Sequence, residues 1–274
     1  GTIHLGSFSQ SRREKVIGVS YGNWPFADAQ SFEQVLEYAA SFNFLVHCFP
    51  FDSRNFGNSL LFEGEWAARL GLPACPRYAE FLNVFRDITI ANNTGCEILI
   101  GPVALKESVE IIRTAKADGV SVKAFTTLPY LLFNESVLEN YNSVYKAIPP
   151  LASEKDQDAL ITGLKDGTVD FLSTGHKAVN KLKKERELDM ADAGISMLAS
   201  SLNAQVEISK KYGTAITEVN SWMSKRVYES LGVRDNSKSF NLDENAKFIL
   251  AEEFKKLKSQ NVPWWNDSVL GFRE

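Results

Sequence analysis

A chain of 274 residues, 44% of them apolar, is long enough for one large domain or two small ones and has the composition of an ordinary globular core. A net charge of −4, with no basic patch interleaved with aromatics, excludes nucleic acid as an expected partner, and no apolar run approaches the ~18 residues of a membrane helix. Three widely spaced cysteines, Cys48, Cys75 and Cys96, make no C-x-x-C pair and no disulfide framework, so reduced thiols and a cytoplasmic location are expected.

The first residues, GTIHLGSF, read like the interior of a domain, without an initiator methionine or the basic and apolar regions of a signal peptide. Residues 16–22 (VIGVSYG) predict a buried strand. Residues 31–43 predict a helix with Ser31 as N-cap and Phe32, Val35, Leu36 and Ala39 on one face. Residues 44–49 (FLVHCF) form the next strand, followed by a loop rich in glycine and aromatics. Residues 76–95 predict a long helix closed by Gly95. A strand at 97–103, a helix at 106–119 and a strand at 120–128 follow. Residues 154–167 are a helix, and 168–174 (TVDFLST) a strand. From 190 onward the pattern turns mainly helical, through ISMLASSLNAQVEISKKYG and TEVNSWMSKRVYESLG, and the tail around KSFNLDENAKFILAEEF adds a short strand. The expected division is a main unit over 1–235 and a C-terminal extension over 236–274 packed on it.

Apolar strands alternating with amphipathic helices are the pattern of a parallel sheet covered by helices. Two features favour a barrel over an open doubly wound sheet. No glycine-rich phosphate fingerprint follows any strand, and polar or loop-forming residues recur at strand C-termini, where barrel enzymes place their chemistry. The densest basic run, KLKKER (181–186), reads as a solvated surface segment. Trp264-Trp265 reads as packing back onto its own domain, with a partner anchor as the alternative.

His47, ending a buried strand, and His176, following one, are the residues with chemical potential. Each also has a plain reading, the first as a hydrogen-bonded interior residue and the second as part of a surface loop. Cys48 points to the opposite face from His47, so the two form no thiolate–imidazole pair. Ser173 and Thr174 read as strand-end hydrogen bonders, and no serine sits on a nucleophile elbow. Lys177 beside His176 offers an acid/base pair, though a solvated loop is the simpler reading. His4 lies too near the start of the chain for any assignment.

The segments LGLPACPRYAE, KESVEIIRTAKADG, IPPL and LKDGTVDFLST fall in an order that resembles dihydroorotase, of the amidohydrolase superfamily, over roughly residues 16–200. The resemblance implies an α/β fold, a TIM-like (β/α)8 barrel whose first one or two strands lie upstream of residue 1. It also implies zinc as the family's cofactor and carbamoyl aspartate and dihydroorotate as its substrates. In this frame Tyr21 stands for the acidic residue of strand four. His47 keeps the histidine of strand five, followed by Cys48-Phe49-Pro50 where the family has Ala-Glu-Asp. Pro102 stands for the ligand histidine of strand six, and Phe125-Thr126-Thr127 for Glu-Val-Thr of strand seven. Ile148 and Ala152 replace the Asn and Arg of the substrate-contacting Asn-Pro-Pro-Leu-Arg. Gly175-His176 replaces the Asp-His of strand eight, whose Asp orients and deprotonates the attacking water.

Catalytic zinc takes about three protein ligands, and this chain keeps His47 alone of the implied set. The metal lowers the pKa of bound water from about 15.7 to about 7, an effect of roughly 12 kcal/mol at ~1.36 kcal/mol per unit. Losing the general base removes a further ~10²–10⁴-fold. The expectation is therefore a pseudoenzyme without cofactor. Its partner is aspartate transcarbamoylase, by analogy with inactive homologues, or a second copy of itself. Two alternatives stand beside it. One is an active zinc dihydroorotase completed by an N-terminal segment. The other is a small-molecule binding module using a vacated pocket walled by Phe125, Leu128 and Ile148.

Overall fold

The computed structural model describes residues 16–26 and 28–234, together with two strands at 241–249 and 268–273. In chain order the elements are β1 (Gly18–Ser20), α1 (Ala29–Ala40), β2 (Leu45–Cys48), α2 (Ser53–Phe56), β3 (Leu61–Phe62), α3 (Glu65–Leu70), β4 (Ala74–Cys75), α4 (Tyr78–Thr94), β5 (Ile98–Ile100) and α5 (Lys106–Ala117). There follow β6 (Val122–Thr127), α6 (Leu128–Leu132), α7 (Glu154–Asp166), β7 (Phe171–Ser173), α8 (Lys181–Lys184), α9 (Ser201–Tyr212), α10 (Ile216–Met223), α11 (Lys225–Leu231), β8 (Asn241–Ile249) and β9 (Ser268–Arg273).

Strands β1, β2, β5, β6 and β7 form one parallel sheet in that spatial order. Spatial order follows chain order throughout, and the order never reverses. A doubly wound sheet needs such a reversal; a barrel does not. The described strands are thus an arc of a barrel wall, and the barrel preference drawn from the sequence holds. Val46, Ile98 and Val122 sit side by side across three strands and are buried, as the apolar strand text requires. Helices α1, α4, α5 and α7 lie side by side along the sheet.

Helix α4 ends at Gly95 and α7 at Gly167, as expected. Helix α1 begins two residues before its predicted start. Asp28, in extended conformation, accepts from the Ser31 amide at 2.7 Å and is the N-cap, so Ser31 lies in the first turn. The loop rich in glycine and aromatics contains the parallel pair β3 and β4, too short to carry a periodic signal. Residues 195–200, expected as helix, run ahead of α9, and Ile195 forms a bridge with His176. The tail strand is β8, paired antiparallel with β9; Trp264-Trp265 and His4 lie outside the described residues.

Buried charge ties the helices together. Glu80 of α4 is fully buried and accepts from the amides of Ala104 (3.1 Å) and Leu105 (3.0 Å) and from Ser108 Oγ (2.7 Å). It thereby holds the two amides that lead into α5 from a neighbouring helix, while the Lys106 amide that opens α5 is taken by Asp156. Burial raises the pKa of Glu80 to about 7. Arg77 spans Glu107 of α5 (Nε–Oε1 3.0 Å) and Asp156 of α7 (Nη2–Oδ1 2.6 Å). Asp156 also accepts from the Lys106 amide and closes a capping box with Ser153.

The segment 181–186 is not the wholly solvated run its composition suggests. Lys184 is 2% exposed, and its ammonium donates to the carbonyls of Gly194 (2.8 Å), Asp192 (3.1 Å) and Lys146 (3.5 Å). Burial, with Lys146 and Lys177 nearby, lowers its pKa to about 7. Lysine tolerates such a place when each donor has a partner.

Candidate functional site

A cavity of about 370 Å³ opens at the C-terminal ends of β2, β6 and β7. This is the face on which parallel barrels place their chemistry. The strands contribute His47 and Phe49, Phe125 and Thr127, and Ser173, Thr174, Gly175 and His176. Pro102 follows β5, and Ile148 comes from the long segment after β6. Thus His47, Pro102, Ile148, Gly175 and His176, selected from sequence, meet around one space. Tyr21 does not: it is 47% exposed and stacks on Phe26 at 5.2 Å. Ala152 is buried in the main core, and so is Leu128, which does not wall the cavity as expected.

His47 has both ring nitrogens engaged. Nε2 lies 2.9 Å from the Gly101 carbonyl, which can only accept, so Nε2 carries the proton. Nδ1 then accepts from Ser20 Oγ at 2.8 Å, and that hydroxyl in turn accepts from the Gly22 amide at 3.0 Å. Burial lowers the pKa of His47, so the ring is neutral at pH 7. Its neighbour Cys48 faces the core, and burial pushes its thiol well up.

Two glycines shape the rest. Gly175 has φ +60°, and a Cβ built there would lie 2.6 Å from Thr127 Cβ. A side chain at 175 therefore meets both backbone strain and a collision with β6. At Gly101 a Cβ would lie 2.6 Å from the Phe125 carbonyl oxygen and from its ring. The Phe125 ring, stacked on Phe171 with centroids 5.3 Å apart and planes 1° from parallel, fills the floor beside His47.

On the opposite wall His176 Nδ1 accepts from the amides of Met197 (3.2 Å) and Leu198 (3.3 Å). His176 thereby anchors the segment before α9. Tyr130, which sequence reading did not single out, donates its buried hydroxyl to the Pro149 carbonyl at 2.8 Å. Among the described residues no Asp or Glu lines the cavity.

No family model matches the chain. Among curated proteins, the dihydroorotase of Caldanaerobacter subterraneus subsp. tengcongensis is 35% identical over 199 residues, which is 73% of this chain and 46% of that protein. The dihydroorotase of Thermoanaerobacter sp. (strain X514) is 29% identical over 267 residues, 95% of this chain and 62% of that protein. Among solved structures, the D-hydantoinase (dihydropyrimidinase) from Thermus sp. superposes with a TM-score of 0.73 at 17% identity, covering 96% of this chain and 64% of that one. The chain is a dihydroorotase-like amidohydrolase in sequence and fold. It spans less than two thirds of the length of these relatives.

The resemblance implies zinc for a dihydroorotase-like chain, and the residues present do not fit one. Zinc takes about three protein ligands. Among the described residues no group of three or more His, Cys, Asp or Glu is placed to hold an ion. His47 would have to give up a hydrogen bond on whichever nitrogen it offered. Sequence reading missed Thr127 as the residue that closes position 175. The signal was a small residue at 175 facing a β-branched one on the adjacent strand, visible only once β6 and β7 are paired.

Proposed function

We propose that this dihydroorotase-like chain is a non-catalytic member of the pyrimidine pathway, retained as a structural partner of aspartate transcarbamoylase. The observation that carries the reading is the closure of position 175. The resemblance places a water-activating acid there, whereas here the backbone at 175 is left-handed and a Cβ would lie 2.6 Å from Thr127 Cβ, so a side chain enters only if the strand end shifts. A general base has to reach its proton within hydrogen-bond distance, and among the described residues no carboxylate on the cavity wall replaces it. The committed nitrogens of His47 support the same reading from the ligand side.

The test uses the full-length protein with added zinc. Dihydroorotate hydrolysis should stay at background, and metal analysis should return no stoichiometric zinc. Turnover abolished by a chelator would instead favour an active enzyme completed by further residues. Co-elution with untagged aspartate transcarbamoylase of the same organism tests the partnership, and independent elution of the two proteins counts against it.

The cavity favours a second reading. A space of about 370 Å³ floored by an aromatic ring is within the range of small-molecule pockets. Thermal-shift measurements with pyrimidine precursors distinguish a binding module from a scaffold.

A further inference from the structure

Two rows of side chains cross from β6 to β7 on the face that carries the cavity. Phe125 pairs with Phe171 in the strand register, and Thr127 pairs with Ser173 nearer the strand ends. Alternate residues of a strand share a face, and Phe125 and Thr127 both line the cavity. Thr126 between them turns away and donates to the Val103 carbonyl at 2.8 Å. The lower row is thus aromatic, with the Phe125 ring as floor beside His47. The upper row carries hydroxyls, and His176 follows it on the same wall.

The upper row is unpartnered. Thr127 is 4% exposed, yet among the described residues nothing bonds its Oγ1. Nor is that atom sealed in the core: among the described residues the enclosed and unpaired side-chain polar atom is Trp222 Nε1. The remaining surface of Oγ1 therefore faces the cavity that Thr127 lines. A hydroxyl this deep is costly unless something in the cavity bonds it. Ser173 Oγ has no partner among the described residues either. Nδ1 of His176 accepts two amides, so the proton lies on Nε2, and among the described residues nothing accepts from Nε2. Charge decides what these donors await. Among the described residues Lys177 is the only charged side chain on the wall. Three donors beside a cation, with no carboxylate to repel, suit an oxyanion. The rest of the space is apolar, walled by Phe49, Pro102, Phe125, Ile148 and Ile195. Polar atoms on that side are committed: His47 has both nitrogens engaged, and Tyr130 gives its hydroxyl to Pro149. A heterocycle with ring N–H and C=O groups would bury them unpaired there. A hydrocarbon ring would not.

We propose that the cavity binds a small aryl monocarboxylate, its carboxylate on Thr127, Ser173 and His176 and its ring over Phe125. The inference rests on the binding reading of this cavity and narrows it to one ligand class.

Isothermal titration of the full chain with benzoate, benzamide and dihydroorotate tests it. Benzoate should bind with a Kd below about 1 mM, modest for a ligand of its size. Benzamide and dihydroorotate should bind at least about 10-fold more weakly, the first for want of charge and the second for its unpaired ring amide groups. Thr127→Val, which keeps the shape of the side chain, should weaken benzoate about 10-fold, as loss of a hydrogen bond to a charged group does. Ser173→Ala gives the same reading should the first variant misfold. Benzamide binding as well as benzoate overturns the carboxylate assignment and leaves the binding reading standing. Dihydroorotate binding more tightly than benzoate does the same in favour of a pyrimidine. Benzoate affinity indifferent to both substitutions overturns the assignment by placing the ligand elsewhere. No binding of any of the three at about 10 mM overturns the binding reading together with the proposal.

Discussion

Beneath α4, a fully buried carboxylate on Glu80 accepts three hydrogen bonds, and Arg77 bridges two further acids on two helices. At the ends of β2, β6 and β7, on the same sheet, the described residues put no carboxylate on the cavity wall, and the strand-borne His47 is tied to a serine and a carbonyl. The first region is rich in ionisable groups that hold elements in register. The second has apolar and hydroxyl-bearing residues at the positions where a barrel enzyme keeps its acids and ligands. Among the described residues, buried charge persists where it organises helices and is absent where the resemblance implies catalysis.

The contrast can be broken most directly at Glu80. Glu80→Ala leaves the amides of Ala104 and Leu105 and the Ser108 hydroxyl without their acceptor, and should cost roughly 3–5 kcal/mol in urea denaturation. A loss below about 1 kcal/mol would mean that water replaces the carboxylate and the shell is less demanding than its geometry. At the cavity, Gly175→Asp restores the implied acid. It should destabilise the chain by about 2–4 kcal/mol, from left-handed backbone and the Thr127 contact, with no dihydroorotate hydrolysis gained. Stability equal to the parent would show that β6 yields easily.

A pH series sharpens the comparison. The folded pKa of Lys184, about 7, lies below its ordinary value of 10.5, so between these values the unfolded chain binds more protons at this site. Stability should therefore rise with pH across that window by at most about 1.4 kcal/mol per unit for one proton. Lys184→Met should flatten the slope, and denaturant midpoints at several pH values measure it. The smallest effect concerns His47. Nitrogen-detected NMR should find it neutral with the proton on Nε2 at pH 7, and zinc should leave its resonances in place; a shift on adding zinc would reopen the ligand question.

Much of the frame is legible in the sequence because it is local. The apolar strands, the glycine stops at 95 and 167 and the helical spacing of Val109 and Ile112 are short-range signals that tertiary packing reinforces. Where packing decides, the sequence is silent. Asp28 caps α1 although Ser31 has the same chemistry, because the chain turns into the helix two residues earlier. Lys184 is buried among neighbours of like composition that stay at the surface, since only the fold brings three carbonyls to its ammonium. At the cavity, strand ends identify His47, Pro102 and Gly175, but burial of Ala152 and exposure of Tyr21 depend on how two loops leave the sheet.

The obstruction between positions 127 and 175 also has a conformational meaning. The interfering atom of Thr127 is its Cβ, one bond from the main chain, so no rotation of the side chain withdraws it and alanine would retain it. Since the dihydroorotase frame itself pairs threonine at 127 with an acid at 175, room for an acid here comes from a shift of the β7 end relative to β6 and a change of backbone at 175, not from a change at 127.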